Sequence, residues 1–244
     1  MILKNTNRYN TDKGSNDHDL HDYKPSSVLS YLSHFLSWIF LPLLMPIYGL
    51  ALTMYIPSES IKLDSWTMFT LPPEVKNQLL LVFFIIGALL PALSFMELHR
   101  RKIISTIDME NRLERSIPLI IQFAFCLMLF VVFLVKAPEN VLPKYFYALP
   151  LSGILVTVLF MFINRWIKIS LHAGGAGILV GYLFAFFIAQ ANYNFWIFIG
   201  AIMASGLTIF ARLYLNKHRP IEVYTGWSLA FLITALSCLL YPGG

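Results

Sequence analysis

The sequence predicts an all-α integral membrane protein, a bundle of six to seven transmembrane helices. Two observations predict it. Of the 244 residues, 57% are hydrophobic and only 13% charged, and mean hydropathy is +0.66, well above what a soluble domain of this size needs for its core. The apolar residues also gather into runs of about 20, the length a helix needs to cross roughly 30 Å of hydrocarbon.

In chain order, residues 1–33 read as a polar, disordered tail rich in Asn, Asp, Ser and Lys, too long and too polar to be a signal peptide. Its DHDLHD stretch, Asp17 to Asp22, offers metal-ligating residue types but would bind a metal only weakly from an exposed tail. Residues 34–244 form the membrane domain. Its spans fall near 34–56, 77–97, 117–136, 145–164, 173–190, 194–212 and 222–241. Pro42 and Pro46 interrupt the first run, and Ser30, Ser33 and Ser37 precede or enter it, so the count is six to seven.

Cys126 and Cys238 lie inside apolar spans, where a thiol behaves as a small hydrophobe. Gly174, Gly175, Gly177 and Gly181 follow a small-xxx-small spacing that suits close helix packing better than a phosphate cradle. His34 and His99 read as span-end residues. The net charge of +5 points to loops against anionic lipid rather than to nucleic acid, since no basic stripe carries interleaved aromatics.

With seven spans, the segments on the N-terminal side hold fourteen Lys and Arg residues against four on the other side. The positive-inside rule then puts the N-terminus in the cytoplasm. If the five basic residues of the last two of those loops serve a substrate instead, nine against four remain, with the same outcome.

Charge near the ends of spans is costly to place, so clusters of it point to function. Two clusters stand out, NRWIKISLHAGGAG (164–177) and ARLYLNKHRPIEVYTGW (211–227). One span down and one span back separate them, which puts both at one membrane face. Pro220 suits the first turn of a helix and pushes Arg219 out of helical geometry, leaving Glu222 in that turn and His218 just outside it. A carboxylate there can hold one imidazole N–H, fix the tautomer and make the other ring nitrogen more basic. The result is an activated nucleophile or general base. The helix N-terminus favours an anion, and Arg212 can add a bidentate fork to the same oxygens. His172 is then available as a general acid, with Ser170 and Lys168 as further oxygen-binding groups. The bland alternative makes Glu222 a partner of the helix dipole and Arg212, Lys217 and Arg219 interfacial anchors.

Ser170-Leu171-His172 and Arg212-x5-His218-x3-Glu222 resemble the second and third signature motifs of the type 2 phosphatidic acid phosphatase superfamily, Pro-Ser-Gly-His and Ser-Arg-x5-His-x3-Asp. The 40 residues from His172 to Arg212 leave room for one helical hairpin, and Val223, Gly226 and Trp227 resemble the common continuation of the third motif. Ile169, Leu171, Ala211 and Glu222 stand where the motifs have Pro, Gly, Ser and Asp. The first motif is not recognisable, and Lys168 or Arg115, from the loop that also carries Arg112, are the candidates to replace it. The resemblance spans about 160–241.

It implies that His218 is the nucleophile forming a phosphohistidine, that Glu222 orients it, and that His172 protonates the leaving group. Arg212, Ser170, Lys168 and Arg115 would bind phosphate oxygens. The implied protein is a metal-independent, cofactor-free phosphatase acting on a lipid phosphate or diphosphate in a bacterial inner membrane, with no nucleic-acid partner. Two alternatives stay open: a catalytically inactive relative that binds phospholipid head groups or serves a structural role, and a magnesium-dependent prenyltransferase using Asp108 and Glu110.

Overall fold

A computed structural model describes residues 27–61, 67–107, 109, 111–137 and 142–242. Most of the polar tail, with its Asp17–Asp22 stretch, and both Asp108 and Glu110 lie outside the described residues.

Among the described residues, six helical stretches are long and apolar enough to span a membrane: Pro73–Arg100, Arg112–Lys136, Tyr145–Ile163, Leu171–Ile188, Phe195–Tyr214 and Pro220–Leu240. The chain is an all-α, multi-pass helical bundle. In order, the first stretch is helix α3 (Pro73–Phe84), a π segment Ile85–Leu89 and helix α4 (Leu90–Arg100). The second is a 3₁₀ turn, Arg112–Arg115, running into α5 (Ser116–Lys136). The remaining four are α6 (Tyr145–Ile163), α7 (Leu171–Ile188), α8 (Phe195–Tyr214) and α9 (Pro220–Leu240).

The expected span at 34–56 is not one helix. It divides into α1 (Ser27–Ile39) and α2 (Met45–Tyr55), and α1 starts inside the stretch read as tail. Pro42 lies in the break and Pro46 in the first turn of α2, where its missing N–H is tolerated. At 11 residues, α2 covers only about 17 Å at 1.5 Å per residue, roughly half the hydrocarbon core. It runs beside α7: Pro42 abuts Gly175, and Gly49 abuts Leu179 and Tyr182. A short strand β1 (Ser58–Ser60) then pairs antiparallel with β2 (Gln190–Tyr193), beyond the far end of α7. The stretch from Pro42 to Ser60 therefore passes from the N-terminal end of α7 to its C-terminal end.

Helix α7 is the axis of the bundle, packed against α9, α8 and α2. It buries 72% of its residues, against 22% for the stretch containing α5. Its glycines explain how. A Cβ on Gly177 would fall on the Trp227 carbonyl oxygen, and one on Gly181 would fall 2.5 Å from that of Phe231, so the backbones of α7 and α9 are in direct contact. At the β1–β2 end the core is aromatic, with Tyr145 edge-on to Tyr182 and Phe186, and Thr53 Oγ1 hydrogen-bonded to the Tyr182 hydroxyl at 2.7 Å. The opposite end of α7 is polar.

Candidate functional site: buried cations around His218

Helix α9 begins at Pro220. Arg219 is its extended N-cap residue, at φ −78° and ψ 154°, and Glu222 sits in the first turn. The Glu222 carboxylate accepts two hydrogen bonds through Oε2, from the Arg219 main-chain N–H at 3.2 Å and from His218 Nδ1 at 2.9 Å. The carboxylate thus closes the helix start and holds the imidazole in one act. The His218 side chain is only 2% exposed.

The start of α7 is joined to the start of α9 through the main chain, because Ser170 N–H donates to the Glu222 carbonyl at 3.1 Å. Ser170 is the extended N-cap of α7, its hydroxyl accepting from Ala173 N–H. Gly226 permits the approach, since a Cβ there would sit 2.9 Å from the Ser170 carbonyl oxygen. His172, in the first turn of α7, lies within electrostatic reach of His218, Arg212 and Arg115, and beside the Ser37 main chain. Leu171 packs into an apolar cluster with Leu119, Val156, Phe160, Ile169 and Ala230.

Three cations complete the cluster. Arg212, in the last turn of α8, is 3% exposed. Lys168 donates to the Lys217 carbonyl at 3.0 Å, tying the 164–170 loop to the loop that carries His218. Arg115 is 2% exposed and donates through Nε to the Met109 carbonyl at 2.9 Å and through Nη1 to the Ile169 carbonyl. Burial, reinforced by the charges of Arg115, Arg212 and Lys168, lowers the His218 pKa to about 3, and the Lys168 main-chain carbonyl opposes this only in part. At neutral pH the imidazole is uncharged. The tautomer that gives Nδ1–H to Glu222 carries its lone pair on Nε2.

All seven residues singled out in the sequence (His218, His172, Glu222, Arg212, Ser170, Lys168 and Arg115) gather at this end of the bundle. Arg112 does not join them; it turns outward and donates through Nη1 to the Arg165 carbonyl at 2.7 Å. Sequence reasoning missed α1. Its Ser33 and Ser37 face inward and are buried, while Tyr31, Phe35 and Trp38 are exposed, so the polar face of α1 packs inward with Ser37 beside His172. The spacing of Ser30, Ser33 and Ser37 on one helical face was the available signal. Among the described residues, no group of three His, Cys, Asp or Glu is placed to hold a metal ion. No family model matches this chain, and no curated protein or solved structure is significantly similar to it.

Proposed function

We propose that the protein is a membrane-bound, metal-independent phosphatase that hydrolyses a lipid phosphate or diphosphate, such as phosphatidate, phosphatidylglycerol phosphate, a polyprenyl diphosphate or a lipid A phosphate, in a bacterial inner membrane. The observation that carries this reading is the convergence, at one end of the bundle, of a carboxylate-held imidazole with a second histidine, His172, and the cations Arg115, Arg212 and Lys168. Guanidinium and ammonium groups gathered beside a histidine nucleophile are the groups that bind the oxygens of a transferring phosphoryl. Position supports a lipid substrate. His172 opens α7 and Arg212 closes α8, which sets the cluster at the ends of membrane-spanning helices, level with lipid head groups.

His172 takes up a proton as the dianionic phosphate binds beside it; His218 Nε2 then attacks phosphorus, the bond to the lipid oxygen breaks, and His172 gives that proton to the departing oxygen. Water then attacks the phosphohistidine, His172 takes its proton, and inorganic phosphate leaves with His218 restored. Arg212, Arg115, Lys168 and Ser170 stabilise the charge on the transferring group. The phosphate replaces main-chain carbonyls as the partner of Arg115 and Lys168.

The purified protein is expected to release phosphate from at least one member of a lipid phosphate panel, and His218→Ala to lower that rate by about 10,000-fold or more. Unchanged release by the variant rejects the mechanism. A second reading, a non-catalytic relative that binds head groups, draws on the bonds Arg115 and Lys168 already make to the Ile169 and Lys217 carbonyls. It predicts no turnover on any lipid and no protection by vanadate.

A further inference from the structure

Outside the cation cluster, a cleft of about 270 Å³ opens between α5 and α6 at the same end of the bundle. Leu119, Ile120 and Met161 form its apolar wall, and Arg112 and Arg165 stand at its rim; among the described residues no carboxylate lines it. The nearby Glu114 is already committed to Ser105, accepting from its N–H at 2.7 Å and its hydroxyl at 2.9 Å. Each arginine is followed by an exposed apolar residue, Leu113 at 74% and Trp166 at 62%. Trp166 also stacks edge-on to the exposed Phe162, 4.8 Å between ring centroids. Side chains of this kind sit at the lipid–water boundary, which puts the rim at head-group level and the wall among acyl chains.

A polar detail narrows the ligand. Asn164 is 6% exposed and donates through Nδ2 to the Arg112 carbonyl at 2.9 Å, while its Oδ1 is buried without a hydrogen-bond partner. An amide oxygen needs a donor. We infer that the cleft binds an anionic phospholipid with a hydroxylated head group, of the phosphatidylglycerol type: phosphate on Arg112 and Arg165, a head-group hydroxyl on Asn164 Oδ1, an acyl chain along Leu119, Ile120 and Met161. This site is independent of the proposed catalysis. It does touch both loops that build the cation cluster, because Arg112 is three residues from Arg115 and Arg165 three from Lys168.

The test is lipid retention by the full chain in neutral detergent, measured by native mass spectrometry with phosphatidylglycerol and phosphatidylcholine. Two arginines near head groups lead to a preference for phosphatidylglycerol of roughly thirtyfold, weakened by salt. The Arg112→Gln/Arg165→Gln double variant is expected to bring the two lipids near parity. Should that variant fail to fold, Arg165→Gln alone, which leaves the Arg112–Arg165 carbonyl bond in place, is expected to lower the preference roughly fivefold, with Arg165→Lys keeping most of it. Equal binding of both lipids by the wild type, or an undiminished preference in Arg165→Gln, overturns the assignment.

Discussion

Two charged clusters occupy the same face of this bundle and use similar residue types, yet they are built on opposite principles. At the end of α4, Glu97 is bound by Arg100 at 2.7 Å and Arg101 at 2.6 Å, with side-chain exposures of 38%, 77% and 66%. Water screens such pairs, and they add little to stability. Around His218, Arg115 and Arg212 are buried and Lys168 is half-buried, so their charges act on the imidazole with little screening by water. The first arrangement satisfies itself. The second joins a carboxylate-held histidine to cations inside the bundle, the residue types that phosphoryl transfer uses.

The largest effect is expected at the buried arginine. Arg212→Gln takes a guanidinium from beside His218, so phosphate release should fall by about 100- to 1,000-fold with the protein still folded in detergent. Release at the wild-type rate would remove Arg212 from the site and weaken the contrast between the clusters.

A smaller effect should appear in the pH dependence of stability. The His218 pKa is about 3 in the folded protein, against about 6.5 for an ordinary histidine. Both states are neutral at that position above pH 6.5. As pH falls from there toward 3, the unfolded chain takes up a proton that the folded site refuses, so stability drops across that window. His218→Gln should remove this component, the wild-type melting temperature falling more steeply than the variant's below pH 6.5. Parallel curves would contradict the pKa shift.

The smallest change belongs to the exposed cluster. Glu97→Gln leaves Arg100 and Arg101 in water, and its melting temperature should match the wild type within error.

How far the sequence reveals these features depends on the range of the interactions that create them. Pro220, Glu222 and His218 are close in sequence, so the start of α9 and the carboxylate–imidazole pair follow from local chemistry. The burial of Arg115 does not. It arises from the Ile169 carbonyl, 54 residues away, and a one-dimensional pattern shows Arg112 and Arg115 as equivalent loop arginines. Lys76, a polar-segment charge by hydropathy alone, lies within α3, 7% exposed, donating to the Phe69 carbonyl at 2.7 Å. The expected span at 34–56 has the hydropathy of a membrane helix because averaging over a window hides what two prolines do to a hydrogen-bond ladder. The packing role of the α7 glycines was legible, since a small-xxx-small pattern already implies a close neighbour. That the neighbour is α9 needed the structure.

The central claim is that the buried cation cluster exists to bring a phosphoryl group to His218 Nε2. It is tested most directly by trapping the intermediate: purified protein is mixed with a lipid phosphate labelled in its phosphate group, quenched in base, and mapped for labelled residues. The account predicts a base-stable, acid-labile phosphoryl group on His218 that is absent in His218→Ala. Turnover of the lipid with the label on another residue, or with no labelled protein under conditions that trap phosphohistidine, would contradict it.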